Sequence, residues 1–429
     1  MRKVVLHVGL HKTGSSAIQE TGARNRNRLE EAGYYYPEFG DTRWSNHSVP
    51  LCLLFMNNPE WNHTVKGIFP EHCQREDAKT QIKQALLDEL HDNPQKNVLF
   101  SGEDVSLLTV EELHKLKAFI NSELEVEEIS VIVYVRHPVS FALSNAQEWV
   151  RACKKTLSEV LSLGNLLQAS TKIQRLQEVF GVKPINVYDF DSVIGEFGDV
   201  SRHFYDKLGV PTGDLEFLRP NESMPLEKIL VLSALIKESQ ELARASLKVI
   251  PNEGSKLRPT VHSATVALEG AKQDTEYLAR EFGIKYGMLA YPHEVEFDPC
   301  LLFRHCHIAI GESKRLNDSA ALGWAKLFTN MCADVESSFP GLSAHLAVLG
   351  YNCSREPALK FRVDHLIRQG EIKGHYVGNL FVFEEDLSLI RSFDAPAYLA
   401  ANPDVAKAEV DPIVHYYAFG RFARRPLGH

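Results

Sequence analysis

The chain has 429 residues, of which 44% are hydrophobic and 24% charged, and its formal net charge is -9. That is an ordinary composition for a globular protein with a large core, and the length is a prior for two or three domains. The negative balance argues against a generic nucleic-acid binder, which needs a Lys/Arg surface, so any site for a polyanion must be local.

Residues 3–9, KVVLHVG, read as a buried β-branched strand ending at Gly. The apolar run has no small-residue cleavage site behind it and is too short for a signal peptide or a membrane helix. A cytoplasmic location is the default, and peripheral contact with a membrane stays compatible with it. A helix is predicted from near Gly14, with Gly33 as its stop. Residues 41–75 are rich in Asn, Pro, His and Trp and read as irregular. A helix follows over 76–92, then a short strand over 97–104, a third strand over 130–138 stopped by Pro138, and a helix from Phe141. A fourth strand covers 184–193.

Strands alternating with helices imply parallel βαβ units. The fold class is therefore α/β, an open, P-loop-like parallel sheet flanked by helices, with a mostly helical C-terminal region. From about residue 222 the pattern turns helical. We place the end of the α/β domain near 290, a helical region of unread role over 291–370, and a small accessory unit over 371–429. The seven cysteines are odd in number and irregularly spaced, which is no disulfide framework. Cys300, His305, Cys306 and His307 have no second ligand pair at zinc spacing, so buried reduced thiols are the reading there.

The turn after the first strand, Gly9-Leu10-His11-Lys12-Thr13-Gly14-Ser15-Ser16, carries the chemistry. A nucleotide-phosphate loop of the commonest kind puts its Lys after the last Gly. Here Lys12 comes before Gly14. A strand still feeds a turn and a helix N-terminus, whose free N–H groups and positive dipole end hold an anion. Ser15 and Ser16 add hydroxyl donors, and Lys12 adds a charge.

The stretch LHVGLHKTGSSAIQ resembles the 5'-phosphosulfate loop of sulfotransferases that use 3'-phosphoadenosine 5'-phosphosulfate (PAPS), in particular the bacterial carbohydrate sulfotransferase branch. A second element agrees. The family's 3'-phosphate site is an Arg at a strand end and a Ser eight residues on, and YVRHPVSFALSNAQ supplies Arg136 and Ser144. Arg offers a fixed fork of donors for phosphate. Many members have Asp after that Arg, where this chain has His137. LFSGEDVSLL, YDFDSV and RPNESMPLEKIL resemble further segments of that branch, so the likeness covers roughly residues 1–290.

The resemblance implies sulfuryl transfer from PAPS to a carbohydrate hydroxyl with no metal required, in a bacterial surface polysaccharide or glycolipid. Lys12, Thr13, Gly14, Ser15, Ser16, Arg136 and Ser144 would bind the donor, and Lys12 would stabilise developing charge. Glu103, at a strand's C-terminal end, is the first candidate base, since related enzymes use Glu. His47 is the second, on side-chain type and loop location. His11 adjoins Lys12 but is left with no role. A P-loop kinase and a non-catalytic glycan-binding protein are the alternatives, and oligomeric state is not legible.

Residues 393–427 resemble a small bacterial module appended to glycosyltransferases and other glycan-modifying proteins. Asn402-Pro403-Asp404 reads as a turn. Tyr398, His415, Tyr416 and Tyr417 read as a small aromatic core, and Arg421, Arg424 and Arg425 as a local basic patch.

Overall fold

A computed structural model describes residues 2–124, 126–163, 167–218, 223–293, 295–316, 322–408 and 410–427. The chain divides into two compact units that interleave in sequence. The first comprises Met1–Phe141, Asn165–Asn221 and Ala271–Gly287; the second comprises Ala142–Gly164, Glu222–Gly270 and Met288–His429. The sequence instead suggests a boundary near 290, after which the chain would not return.

The first unit is built on a five-stranded parallel sheet: β1 Arg2–Val8, β2 Tyr34–Tyr35, β3 Asn97–Gly102, β4 Val126–Val135 and β5 Ile185–Asp189, in spatial order β2-β3-β1-β4-β5. The α/β class, the parallel sheet and the flanking helices are as the alternating pattern implies. β1 lies at the centre and is buried at nearly every position. That is why it reads as a continuous apolar run and not as an alternating one. Val8 pairs with Gly102 of β3, so these two strands end level; His7 pairs with Ile132 of β4, which runs on beyond them to Val135. Strand β5 stops at Asp189 because that residue caps the helix Phe190–Phe197, its carboxylate accepting the Ser192 N–H at 3.1 Å.

Local chemistry explains where the elements depart from expectation. The helix after the turn, α1 Ser15–Arg24, breaks at Asn25, whose side-chain amide donates to the Thr21 carbonyl at 2.7 Å. Arg26–Glu31 then forms a separate short helix. Residues 41–75 are not wholly irregular. Ser48–Phe55 is a helix with seven of its eight residues buried, so it has no polar face to reveal a helical period. Its Pro50 falls in the first turn, where proline is tolerated. The helix Lys272–Phe282 rejoins the first unit: Tyr277 and Leu278 enter its core. Asp274 accepts the N–H groups of Ala169 (2.8 Å) and Ser170 (3.0 Å), at the start of the helix Ala169–Phe180.

The second unit is mostly helical, as expected for the C-terminal region. The helix expected from 222 onward is two helices, Leu226–Ile236 and Gln240–Val249, because Ser239 caps the second. Four more helices span Pro299–Arg315, Trp324–Val335, Pro340–Ser354 and Pro357–Gln369. An antiparallel hairpin, β6 Gly374–Val377 and β7 Leu380–Phe383, leads into short terminal helices. Tyr398 and Tyr417 are fully buried, and the Tyr398 hydroxyl lies 2.8 Å from His415 Nδ1, so these rings are core. The basic patch needs correcting. Arg425 is held by Asp404 at 2.7 Å, and Arg421 by Asp386 at 3.0 Å, which neutralises two of its three charges. All seven cysteines are free, and no cluster of metal-ligating side chains occurs among the described residues.

Candidate active site

The C-terminal ends of parallel strands open along one edge of a sheet, where such folds bind ligands. At this edge β1 delivers the turn 9–14, β3 delivers Glu103 and Asp104, β4 delivers Arg136 and His137, and β5 delivers Asp189 and the helix bearing Asp191. The structure thus brings Lys12, Thr13, Gly14, Ser15, Ser16, Glu103 and Arg136 to the same edge.

The turn is tight and left-handed at two positions. Lys12 has φ 64° and Gly14 φ 78°. Gly14 must also lack a side chain, because a Cβ there would come within 2.5 Å of Val200. Thr13 is buried and its hydroxyl donates to the Leu10 carbonyl at 2.5 Å, tying the turn closed. Gly14 precedes α1 without a side-chain cap. The Ser15 and Ser16 N–H groups therefore have no intrahelical partner, whereas the Ala17 N–H already donates to the Gly14 carbonyl at 3.0 Å. Ser16 is exposed, whereas the Ser15 hydroxyl is buried and has no hydrogen-bond partner.

Arg136 braces this turn. Its Nη1 donates to the Lys12 carbonyl at 2.8 Å, and its guanidinium lies 5.0 Å from the Phe190 ring centre. Its Nε is buried and unsatisfied, 3.8 Å from the Asp191 carboxylate, beyond hydrogen-bond reach. Burial pushes the Asp191 carboxyl above its ordinary range, against the pull of the His137 N–H, which it accepts at 2.8 Å, and of Arg136. His137 uses its backbone to hold Asp191 and its ring to meet the Gly287 carbonyl at 3.1 Å. Ser144 lies half-buried on the helix Pro138–Arg151, in the portion that belongs to the second unit.

The two candidate bases stand in opposite environments. Glu103 begins a short 3-10 turn fixed by Ser48, whose hydroxyl accepts the Asp104 N–H at 3.0 Å. Its Oε1 lies 2.9 Å from His11 Nδ1. His47 is wholly buried between Tyr36 and Phe39, and its Nδ1 accepts the Ser101 N–H at 3.1 Å. Burial pushes its pKa down to about 3. That enclosure suits a packing side chain and not a group that exchanges protons with an acceptor. The Asn-x-Ser segment of 219–230 lies partly outside the described residues, which omit 219–222.

Two residues carried no sequence signal strong enough to select them. His11 is set aside when read alone, because only the pairing of β1 with β3 brings Glu103 to it. Lys172 sits on the helix Ala169–Phe180, 5% exposed, and its ammonium is pushed below its ordinary pKa, chiefly by burial. Its charge bears on both His11 and Glu103. A lysine on an otherwise amphipathic helix looks like any surface lysine in sequence.

No protein-family model matches the chain, and no curated protein matches it. Among solved structures, the chain is similar to the crystal structure of a sulfotransferase from Alicyclobacillus acidocaldarius, at 14% identity and a TM-score of 0.30, over 60% of this chain and 98% of that one. So loose a superposition carries no argument about chemistry, which rests on the residues themselves.

Proposed function

We propose that this chain is a sulfotransferase that moves a sulfuryl group from PAPS to a carbohydrate hydroxyl, in a bacterial surface polysaccharide or glycolipid, within the cytoplasm. One observation carries the reading. Around the turn before α1 lie two buried donors with no hydrogen-bond partner, Ser15 Oγ at the helix start and Arg136 Nε after β4, beside Lys12 and an uncapped helix N-terminus. A buried donor left unsatisfied costs about 1–3 kcal/mol, and an anionic ligand removes that cost. Among the described residues no helix is long and apolar enough to cross a membrane.

PAPS supplies an activated sulfuryl group on a stable bisphosphate leaving group. The chain's own task is positioning and charge stabilisation. Ser15, Ser16 and the first-turn N–H groups bind the phosphosulfate end, with Thr13 and Gly14 shaping the turn around it. Lys12 offsets the negative charge that builds as the sulfur–oxygen bond breaks, which is why no metal ion is part of the proposal. Arg136 carries the 3'-phosphate. Ser144's share of that role rests on the resemblance alone. Glu103 is the carboxylate nearest the turn that suits work on an acceptor hydroxyl.

The test is calorimetric titration of the full chain with adenosine 3',5'-bisphosphate in the presence of a metal chelator. Saturable binding under those conditions is the expected result. Binding of ATP alone, and only with Mg2+, would replace this reading with the kinase.

A further inference from the structure

We infer that His11 is the proton acceptor of this site and that Glu103 is the positioning residue that holds it in its working tautomer. The inference rests on the sulfuryl-transfer reading and changes one role within it: the imidazole, not the carboxylate, touches the acceptor hydroxyl.

The geometry begins with the sheet. Val8 and Gly102 are paired across β1 and β3, so the segments that follow them leave the sheet side by side. Gly9 lets them approach closely, since a Cβ at that position would lie 3.3 Å from Glu103 Cα. Two residues on, His11 Nδ1 lies 2.9 Å from Glu103 Oε1. An ionised carboxylate only accepts, so Nδ1 is the donor and the neutral ring keeps its lone pair on Nε2. No hydrogen bond to Nε2 occurs among the described residues. The imidazole side chain is 41% exposed and the carboxylate 22%, so the ring is the more accessible member of the pair. His47 has the reverse arrangement: its Nδ1 is the acceptor and its ring is enclosed.

Charge acts in the same sense. The hydrogen bond from Glu103 raises the His11 pKa above 6.5, and Asp104 adds to it. Burial opposes it, as does Lys172 on the helix Ala169–Phe180. Nε2 becomes available as a base once pH passes that raised value, so the rate climbs on its alkaline side. As the acceptor oxygen bonds to sulfur, its proton passes to Nε2. The electron pair of the broken sulfur–oxygen bond leaves on the bisphosphate. The imidazolium is stabilised by Glu103 and then releases its proton to water.

The test uses the full chain with labelled histidine, and the His11 signals are assigned by their loss in His11→Gln. Nitrogen chemical shifts should show the Nδ1–H tautomer and a titration midpoint above 6.5 that falls in Glu103→Gln, because the hydrogen bond from Glu103 is the main cause of the rise. Release of sulfate from PAPS, with water as acceptor, should drop about a hundredfold or more in His11→Gln. Binding of adenosine 3',5'-bisphosphate should be unchanged in that variant. In Glu103→Gln the rate should fall less, and its pH midpoint should move down together with that of His11. An Nε2–H tautomer, a midpoint that ignores Glu103→Gln, or a wild-type rate in His11→Gln would overturn the assignment. If the wild-type chain fails to bind the bisphosphate, the sulfuryl-transfer reading falls first and takes this role with it.

Discussion

Arg136 serves two demands with one guanidinium. Its Nη1 holds the carbonyl of Lys12, a residue in a left-handed conformation that non-glycine side chains disfavour, while its Nε is left over for a ligand. A variant that merely weakens binding would not separate the two. The ligand pair adenosine 3',5'-bisphosphate and adenosine 5'-monophosphate does, because only the first carries a 3'-phosphate. In Arg136→Ala the preference for the bisphosphate should shrink by at least about tenfold, the worth of one charged hydrogen bond at 1.5–3 kcal/mol. Equal loss for both ligands in calorimetry would leave Arg136 as a brace for the turn and nothing more. At this scale the sequence was informative wherever a residue acts through its own backbone context. Lys12, Gly14, Ser15 and Arg136 each sit at a strand end or helix start that one segment suffices to locate. His11 was not legible as a working residue, because its partner Glu103 is 92 positions away. Asp191 lies in the segment YDFDSV, but its place beside Arg136 depends on the pairing of β4 with β5 and is not legible either.

The turn 9–14 works as an element only if β1 and α1 can close on each other, and Gly9 is the hinge of that closure. A Cβ at residue 9 would fall 2.1 Å from Ser15 Oγ, far inside contact distance. Gly9→Ala therefore has to push the Ser15 side chain out of the turn. The sheet should survive, since β1 ends at Val8 and the severe clash falls on the Ser15 side chain, while the Glu103 backbone at 3.3 Å need give way only slightly. We expect Gly9→Ala to melt within a few degrees of the wild type but to bind adenosine 3',5'-bisphosphate about tenfold or more weakly, read by calorimetry and thermal unfolding together. Retained affinity would mean that Ser15 does not contribute. The same element shows why the first strand, turn and helix start were legible while Ser48–Phe55 was not. β1 and α1 meet at a Gly-bounded turn, a change of period that sequence records. Ser48–Phe55 is apolar after its first residue and carries a proline, and its helical state is set by the burial of nearly its whole surface. Such a segment has no period to read.

At the scale of the whole chain, the two compact units cross the boundary that composition suggests. Residues 142–164 and 222–270 precede 290 in sequence but pack with residues beyond it. The helix Leu226–Ile236 has every residue from Leu226 to Leu235 buried, in a core shared with Leu302, Leu327, Met331 and Leu346. Polar contacts follow the same route. Asp334 is 1% exposed and accepts hydrogen bonds from the hydroxyls of Ser158 (2.7 Å) and Ser233 (2.5 Å), so its helix is tied to two earlier ones. Periodicity along one segment reports that a helix has an apolar face; it does not report which distant segment covers that face. A fragment ending at residue 290 would keep Leu226–Ile236 and lose its cover. Exposing its buried leucines, Ile229 and Val231 forfeits on the order of 10 kcal/mol of burial, comparable to the whole stability of an ordinary domain. The fragment 1–290 should therefore aggregate, or bind a hydrophobic dye without a cooperative melt, while the full chain melts cooperatively. A monomeric fragment that binds adenosine 3',5'-bisphosphate with full-chain affinity would instead show that the parallel sheet and its ligand edge stand alone, with the buried helix free to find other cover.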